Sequence, residues 1–197
     1  MPPQNAIVIG ISSVSGGGKT RVASELAGSV DNASAVYFDD FDDTTQHPPD
    51  LPKWLAEGGD YNAWRAPVLA EHLRKLKTGE AVGPDGSPLQ HIVFDAPLGR
   101  AHAETGKFID HMVFLDTPLD IALARRLLRD GWTDDTEAHL RGYLDWTKEL
   151  FTRQIDQVAA TADLVLDGTT PANVLVERII AEFGLPIRSS DIRPKSA

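Results

Sequence analysis

Cysteine is absent from the 197-residue chain, which excludes disulfide staples, thiolate zinc sites and cysteine nucleophiles. No apolar run approaches the roughly 18 residues that cross a bilayer. The opening Met1-Pro2-Pro3-Gln4-Asn5 carries neither a basic nor a long apolar segment. These absences predict a cytoplasmic protein with no membrane partner. Basic residues are also few: 19 Lys and Arg against 29 Asp and Glu leave a formal charge of -10, with a pI near 4.9. Sequence-independent binding to nucleic acid needs a basic face, so that partner is excluded and small-molecule chemistry is favoured. The 6 histidines show no metal-ligand spacing, and no serine sits in a nucleophile elbow. A guanine-reading Asn-Lys-x-Asp, an internal repeat and a low-complexity tract are all missing.

What the chain does have is alternation. Nearly continuous apolar runs at 6–11, 35–38, 91–94, 112–115 and 163–166 read as buried parallel strands. Between them lie helical patterns with clear punctuation. Pro67 opens one that stops near Gly79, Thr117-Pro118 opens another running to Arg129, and Thr170-Pro171 opens the last, which Gly184 ends. Thr117 is read as an N-cap. The longest periodic stretch, 136–160, reads as one helix with Leu140, Tyr143, Phe151 and Val158 on a broad face. Residues 42–60 look too polar and too interrupted for a core element. The pattern is that of an open α/β sheet in a single domain spanning 1–197, with a flexible tail at 186–197.

Four groups of residues can carry chemistry. Ser13-Val14-Ser15-Gly16-Gly17-Gly18-Lys19-Thr20 follows the first strand and opens a helix. It matches the second half of the phosphate-loop pattern, with Ser13 where the first glycine belongs. Backbone N–H groups from Ser15 through Arg21 would converge on phosphates, Lys19 would reach the terminal ones, and Thr20 would ligate Mg2+. Asp39 and Asp40 follow the second strand at the same carboxyl rim, where a carboxylate can accept a proton or hold metal. Asp95 ends the third strand as a second candidate metal ligand. Arg125, Arg126 and Arg129 cluster near the end of the helix after Thr117-Pro118 and can close on phosphates as part of a lid at 125–140.

Assembled in this order, the segments resemble the uridine kinase and nicotinamide riboside kinase branch of the P-loop small-molecule kinases, over roughly residues 5–183. The phosphate loop is similar to that family's strand-loop-helix entry. Phe38-Asp39-Asp40-Phe41 resembles its Asp-Asp-Phe segment, Phe114 through Arg126 its strand-to-lid helix, and Ala162 through Gly168 its last strand. The resemblance implies a P-loop three-layer fold with a five-stranded parallel sheet in order 2-3-1-4-5, ATP and Mg2+ as cofactors, and phosphoryl transfer to a small-molecule hydroxyl. It implies that Lys19 and Asp39 are catalytic and that Thr20, Asp39 and Asp95 hold the metal. Asp40, Asp60, Tyr61 and Arg100 become the candidate acceptor contacts. Two departures bear on the acceptor. Asp95-Ala96-Pro97 stands where uridine kinases have Glu-Gly, and the stretch from Gly79 to His91 is too short for their nucleoside-shaping hairpin. A riboside-like pocket or another hydroxyl substrate therefore remains open, as do a nucleotide-dependent switch and a binding protein without turnover.

Overall fold

The computed structural model describes residues 5–188. Its strands are β1 (Ile7–Ser12), β2 (Ala33–Tyr37), β3 (His91–Asp95), β4 (His111–Asp116) and β5 (Leu164–Asp167). They form one parallel sheet in the order β2-β3-β1-β4-β5, as the resemblance implied. Among the described residues eight α-helices accompany them: α1 (Lys19–Ser29), α2 (Leu51–Ala56), α3 (Pro67–Thr78), α4 (Ala103–Gly106), α5 (Leu119–Asp130), α6 (Thr136–Gly142), α7 (Lys148–Ala159) and α8 (Ala172–Phe183). Among the described residues, no helix is long and apolar enough to cross a membrane.

Side chains alternate across a strand, so each apolar strand feeds two cores. Val8, Ile92, Phe94, Met112 and Phe114 face α3 and α7. Ile9, Ile11, Val93, Val113 and Leu115 face α1 and α8. The helix stripes meet them: Leu69 and Leu73 of α3 and Ile179 of α8 are fully buried, each worth about 1.5–3 kcal/mol relative to exposure. Helices on both faces give the three-layer arrangement.

Three expectations are corrected. The stretch 42–60 contains α2, in which Trp54 and Leu55 are buried. Its polar flanks are the punctuation of a short helix, with the Asp50 carboxylate accepting from Lys53 N at 2.9 Å. The stretch 136–160 is not one helix, because a π-helical turn at Tyr143–Thr147 separates α6 from α7. Gly142, a poor helix former, precedes the turn, and the apolar stripe serves two surfaces. Leu140 faces α5, while Phe151 and Val158 enter the cores. Residues 186–188 of the expected tail are fastened: Asp31 N donates to Pro186 O at 2.8 Å and Arg188 N to Ser29 O at 2.8 Å. The rest of that tail lies outside the described residues.

Candidate active site

The registers place the site. Ile11 and Tyr37 both lie opposite Asp95, so the loop after β1, the turn after β2 and the end of β3 share the carboxyl rim where open α/β sheets bind ligands. The β1–α1 loop is built around three glycines. Gly16 and Gly18 have φ of 85° and 101°, conformations that L side chains rarely adopt. A Cβ on Gly17 would lie 1.8 Å from Ser13 Oγ, and one on Gly16 would lie 2.2 Å from Ala122 O of α5. Ser13 is buried, and its hydroxyl donates to Leu115 O at 2.7 Å. It fills the floor that a glycine would leave open and fixes Gly17 in turn. Thr117 is no helix cap. Its hydroxyl donates to Gly17 O at 3.0 Å, bracing the loop from β4. Because α1 begins at Lys19, its first-turn N–H groups have no intrahelical partners and are free for an anion.

Asp95 is only 2% exposed. Its Oδ2 accepts from Thr20 Oγ1 at 2.6 Å, while Oδ1 is buried without a hydrogen-bond partner, 3.9 Å from Lys19 Nζ. Burial pushes its pKa up; Lys19 and the Thr20 hydroxyl oppose that, and Asp39 and Asp40 add to it. A buried carboxylate oxygen lacking a donor, beside a hydroxyl and within the field of the Asp39 and Asp40 charges, is chemistry that suits Mg2+. Among the described residues no cluster of three or more His, Asp or Glu side chains forms a ready-made metal cage.

Two cavities flank the loop. One, of about 310 Å3, lies between Gly17, Gly18 and Arg21 on one side and Thr169, Thr170 and Pro171 after β5 on the other. Arg125 closes it, donating to Gly168 O at 3.0 Å. The other, of about 210 Å3, joins Lys19 and Asp39 to Ser15 and to an apolar wall of Tyr61, Trp64, Leu150 and Phe151. Tyr61 is 4% exposed, and burial raises its pKa to about 12 despite nearby Arg153, so the phenol stays neutral. Its ring lies 6.2 Å from that of Trp64 and 5.7 Å from that of Trp54. Gln154 reaches under this cavity, donating to Pro97 O at 2.7 Å and Ser13 O at 3.3 Å.

The remaining candidates are placed elsewhere. Asp40 is exposed and does not line the cavity. Asp60 turns its carboxylate onto its own turn, accepting from Asn62 N at 2.9 Å. Arg100 is a structural clamp, with Nη1 2.9 Å from Asp163 Oδ1 and Nη2 2.8 Å from Asp163 Oδ2. It also donates to the carbonyls of Thr161 and Asp110. Arg126 packs its stem on the phosphate loop, its Cγ 2.8 Å from where a Cβ on Gly16 would stand, and lines a cleft of about 440 Å3 with Leu123, Asp130 and Tyr143; its Nε is buried without a partner. Arg129 is exposed and paired with Asp130 at 2.7 Å. Sequence reasoning missed Trp64, Phe151, Gln154 and the Thr169–Pro171 edge. The last was available, because Thr170-Pro171 directly follows a strand at the ligand-binding rim.

No protein-family model matches the sequence. The chain is 28% identical over 208 residues to a uridine kinase of Vibrio atlanticus (strain LGP32), covering 93% of this chain and 97% of that protein. Among solved structures it is similar to the tunicamycin resistance protein of Deinococcus radiodurans, with a TM-score of 0.55 and 18% identity over 92% of this chain and 98% of that one. It is also similar to a possible uridine kinase from Bacillus stearothermophilus, with a TM-score of 0.52 and 17% identity over 83% and 89% of the two chains. The chain resembles P-loop kinases of the uridine kinase type in sequence, and the two structures share its fold.

Proposed function

We propose that this chain is an ATP-dependent small-molecule kinase that transfers the γ-phosphoryl group to a hydroxyl of a nucleoside or riboside. The observation that carries the reading is the 210 Å3 cavity, in which Lys19 and Asp39 meet an aromatic wall. A switch protein has no use for an aromatic-lined cleft at its phosphate loop, whereas a kinase needs one beside its base. The rings of Tyr61 and Trp64, tilted 48° to each other, offer aromatic surface to a planar ring, and among the described residues that line the cavity Lys19 is the cation.

In this reading the glycine loop and the first turn of α1 hold the phosphates, with the purine beside Thr169–Pro171 and Arg125. Thr20, Asp95 and Asp39 would hold Mg2+, which would supply charge neutralisation to the phosphates. Asp39 accepts the proton of the acceptor hydroxyl as its oxygen bonds to the γ-phosphorus. The bond from that phosphorus to the β,γ-bridging oxygen breaks, and ADP leaves. Lys19 stabilises the charge that gathers on the transferring group. Residues 125–140, with Arg126 lining a cleft of its own and Arg129 exposed near the end of α5, act as a lid that excludes water when it closes.

The test is ADP release from Mg-ATP against a panel of uridine, cytidine, nicotinamide riboside, pantothenate, shikimate and a hexose phosphate. The reading expects stimulation by a nucleoside or riboside, abolished in Lys19→Ala. Stimulation by the acids or the sugar phosphate alone would refute the acceptor class. Nucleotide binding with no stimulation would refute the kinase.

A further inference from the structure

The aromatic wall of the acceptor cavity stands on a segment with little secondary structure of its own. Tyr61–Ala63 is a single 3-10 turn, and Trp64 follows it in extended backbone before α3 begins at Pro67. Much of what fixes this segment comes from one short stretch across the fold, residues 102–104. Ala103 N donates to Asn62 Oδ1 at 2.9 Å. Ala66 N donates to Glu104 Oε2 at 2.6 Å. Between these two, His102 holds Trp64 itself, with Nε2 3.1 Å from Trp64 O.

His102 is fully buried, at 0% exposure, and the chemistry of its partners fixes its state. A backbone carbonyl can only accept, so Nε2 carries the proton. Nδ1 of the neutral ring must then accept, and it does so from the Thr105 hydroxyl at 2.8 Å. Burial holds the pKa below the usual histidine value; Arg65 adds to that, and Glu104, 4.0 Å away, opposes it. The ring also meets Phe38 edge-on, with centroids 6.4 Å apart. Phe38 immediately precedes Asp39. One buried side chain thus touches both halves of the cavity: the strand end that delivers Asp39 and the carbonyl of Trp64.

We infer that His102 is a positioning residue that sets the acceptor cavity, holding the Trp64 wall at a fixed separation from Asp39 through its Nε2–H tautomer. It touches no reactant. Its effect falls on the acceptor side, because among the described residues no side-chain hydrogen bond or ion pair of residues 102–105 reaches Lys19, Thr20 or the lining of the 310 Å3 nucleotide-side cavity. The inference rests on the kinase reading for its kinetic consequence, but not for its structural one.

The experiment compares wild type with His102→Phe, which keeps a ring and loses both hydrogen bonds, and His102→Gln, whose amide N–H can still reach Trp64 O. Two quantities are read: steady-state kinetics with uridine and Mg-ATP, and hydrogen exchange of peptides spanning 61–66. For His102→Phe the expectation is a tenfold or greater rise in the KM for uridine, with the KM for ATP within twofold of wild type. Exchange at 61–66 should accelerate while that of α1 is unchanged. His102→Gln should recover most of both effects. Should His102→Phe fail to fold, Thr105→Val, which removes only the hydroxyl that donates to Nδ1, carries the test with a smaller effect of the same sign. Unchanged exchange at 61–66, equal changes in both KM values, or a failure of His102→Gln to rescue would overturn the inference. If uridine is not phosphorylated at all, the kinase reading suffers. The exchange comparison then decides the positioning claim by itself.

Discussion

Restoring the glycine that the phosphate loop lacks should harm this protein. In Ser13→Gly the hydroxyl that donates to Leu115 O at 2.7 Å disappears, in a position that is 0% exposed. A buried hydrogen bond contributes about 1 kcal/mol, and an orphaned buried carbonyl costs about 1–3 kcal/mol. The expected loss is about 2 kcal/mol, which for a chain of this length lowers Tm by roughly 4–8 °C. The same contact predicts a coupling. Gly17→Ala alone drives a Cβ to 1.8 Å from Ser13 Oγ, an overpacking that costs about 1–3 kcal/mol. In the double variant the clash with Ser13 is gone and only the 2.9 Å approach to Val14 O remains, so the double variant should lose less than the sum of the two single losses. Differential scanning calorimetry on the four proteins, without nucleotide, measures both effects. A Ser13→Gly variant as stable as wild type, or strictly additive losses, would refute the account of how the loop is built.

Other perturbations separate the roles of individual residues. Asp95→Asn removes a buried charge whose Oδ1 has no partner, so thermal melting should show the apoprotein unchanged or stabilised, while added Mg-ATP no longer raises Tm. Trp64→Ala should raise the acceptor KM by about 10- to 100-fold at constant ATP KM, since stacking of a base on an aromatic ring is worth about 1–3 kcal/mol; equal effects on both substrates would count against the wall. Arg100→Ala should lower Tm by a few degrees, about 1 kcal/mol for a partly exposed bidentate pair, and leave both KM values alone. The pH dependence follows from Asp163, whose pKa the Arg100 guanidinium holds below the usual value. A depressed carboxylate stabilises above its unfolded pKa and loses that contribution as pH falls, so the gap between wild type and Arg100→Ala should shrink below about pH 4.

The sheet was legible because buried parallel strands must be apolar on both faces, and the five runs had few other uses. The phosphate loop was legible because its spacing, strand and helix all agree. What escaped is what long-range contact decides. Ser13 looked like a defect in the motif until its hydroxyl was seen to reach Leu115, 102 residues away. Thr117 carried a good cap signal, yet its hydroxyl serves Gly17, 100 residues away. Arg100 stood near a candidate metal ligand in sequence, but its partner is Asp163, 63 residues on. Trp54 and Leu55 were hidden because a helix of 6 residues is too short to show a period. The acceptor wall could not be assembled from sequence, since Trp64 and Phe151 come from segments that only the closed fold brings together.

The most direct test of the central claim is acceptor-stimulated ADP release by Asp39→Asn, measured beside its affinity for ATP. If one cavity joins Lys19 and Asp39 for transfer to a hydroxyl, the variant still binds ATP, through the glycine loop and Lys19, and loses the stimulation by 100-fold or more. Stimulation that persists at the wild-type level would contradict the account, because the carboxylate lining that cavity would then have no part in the reaction.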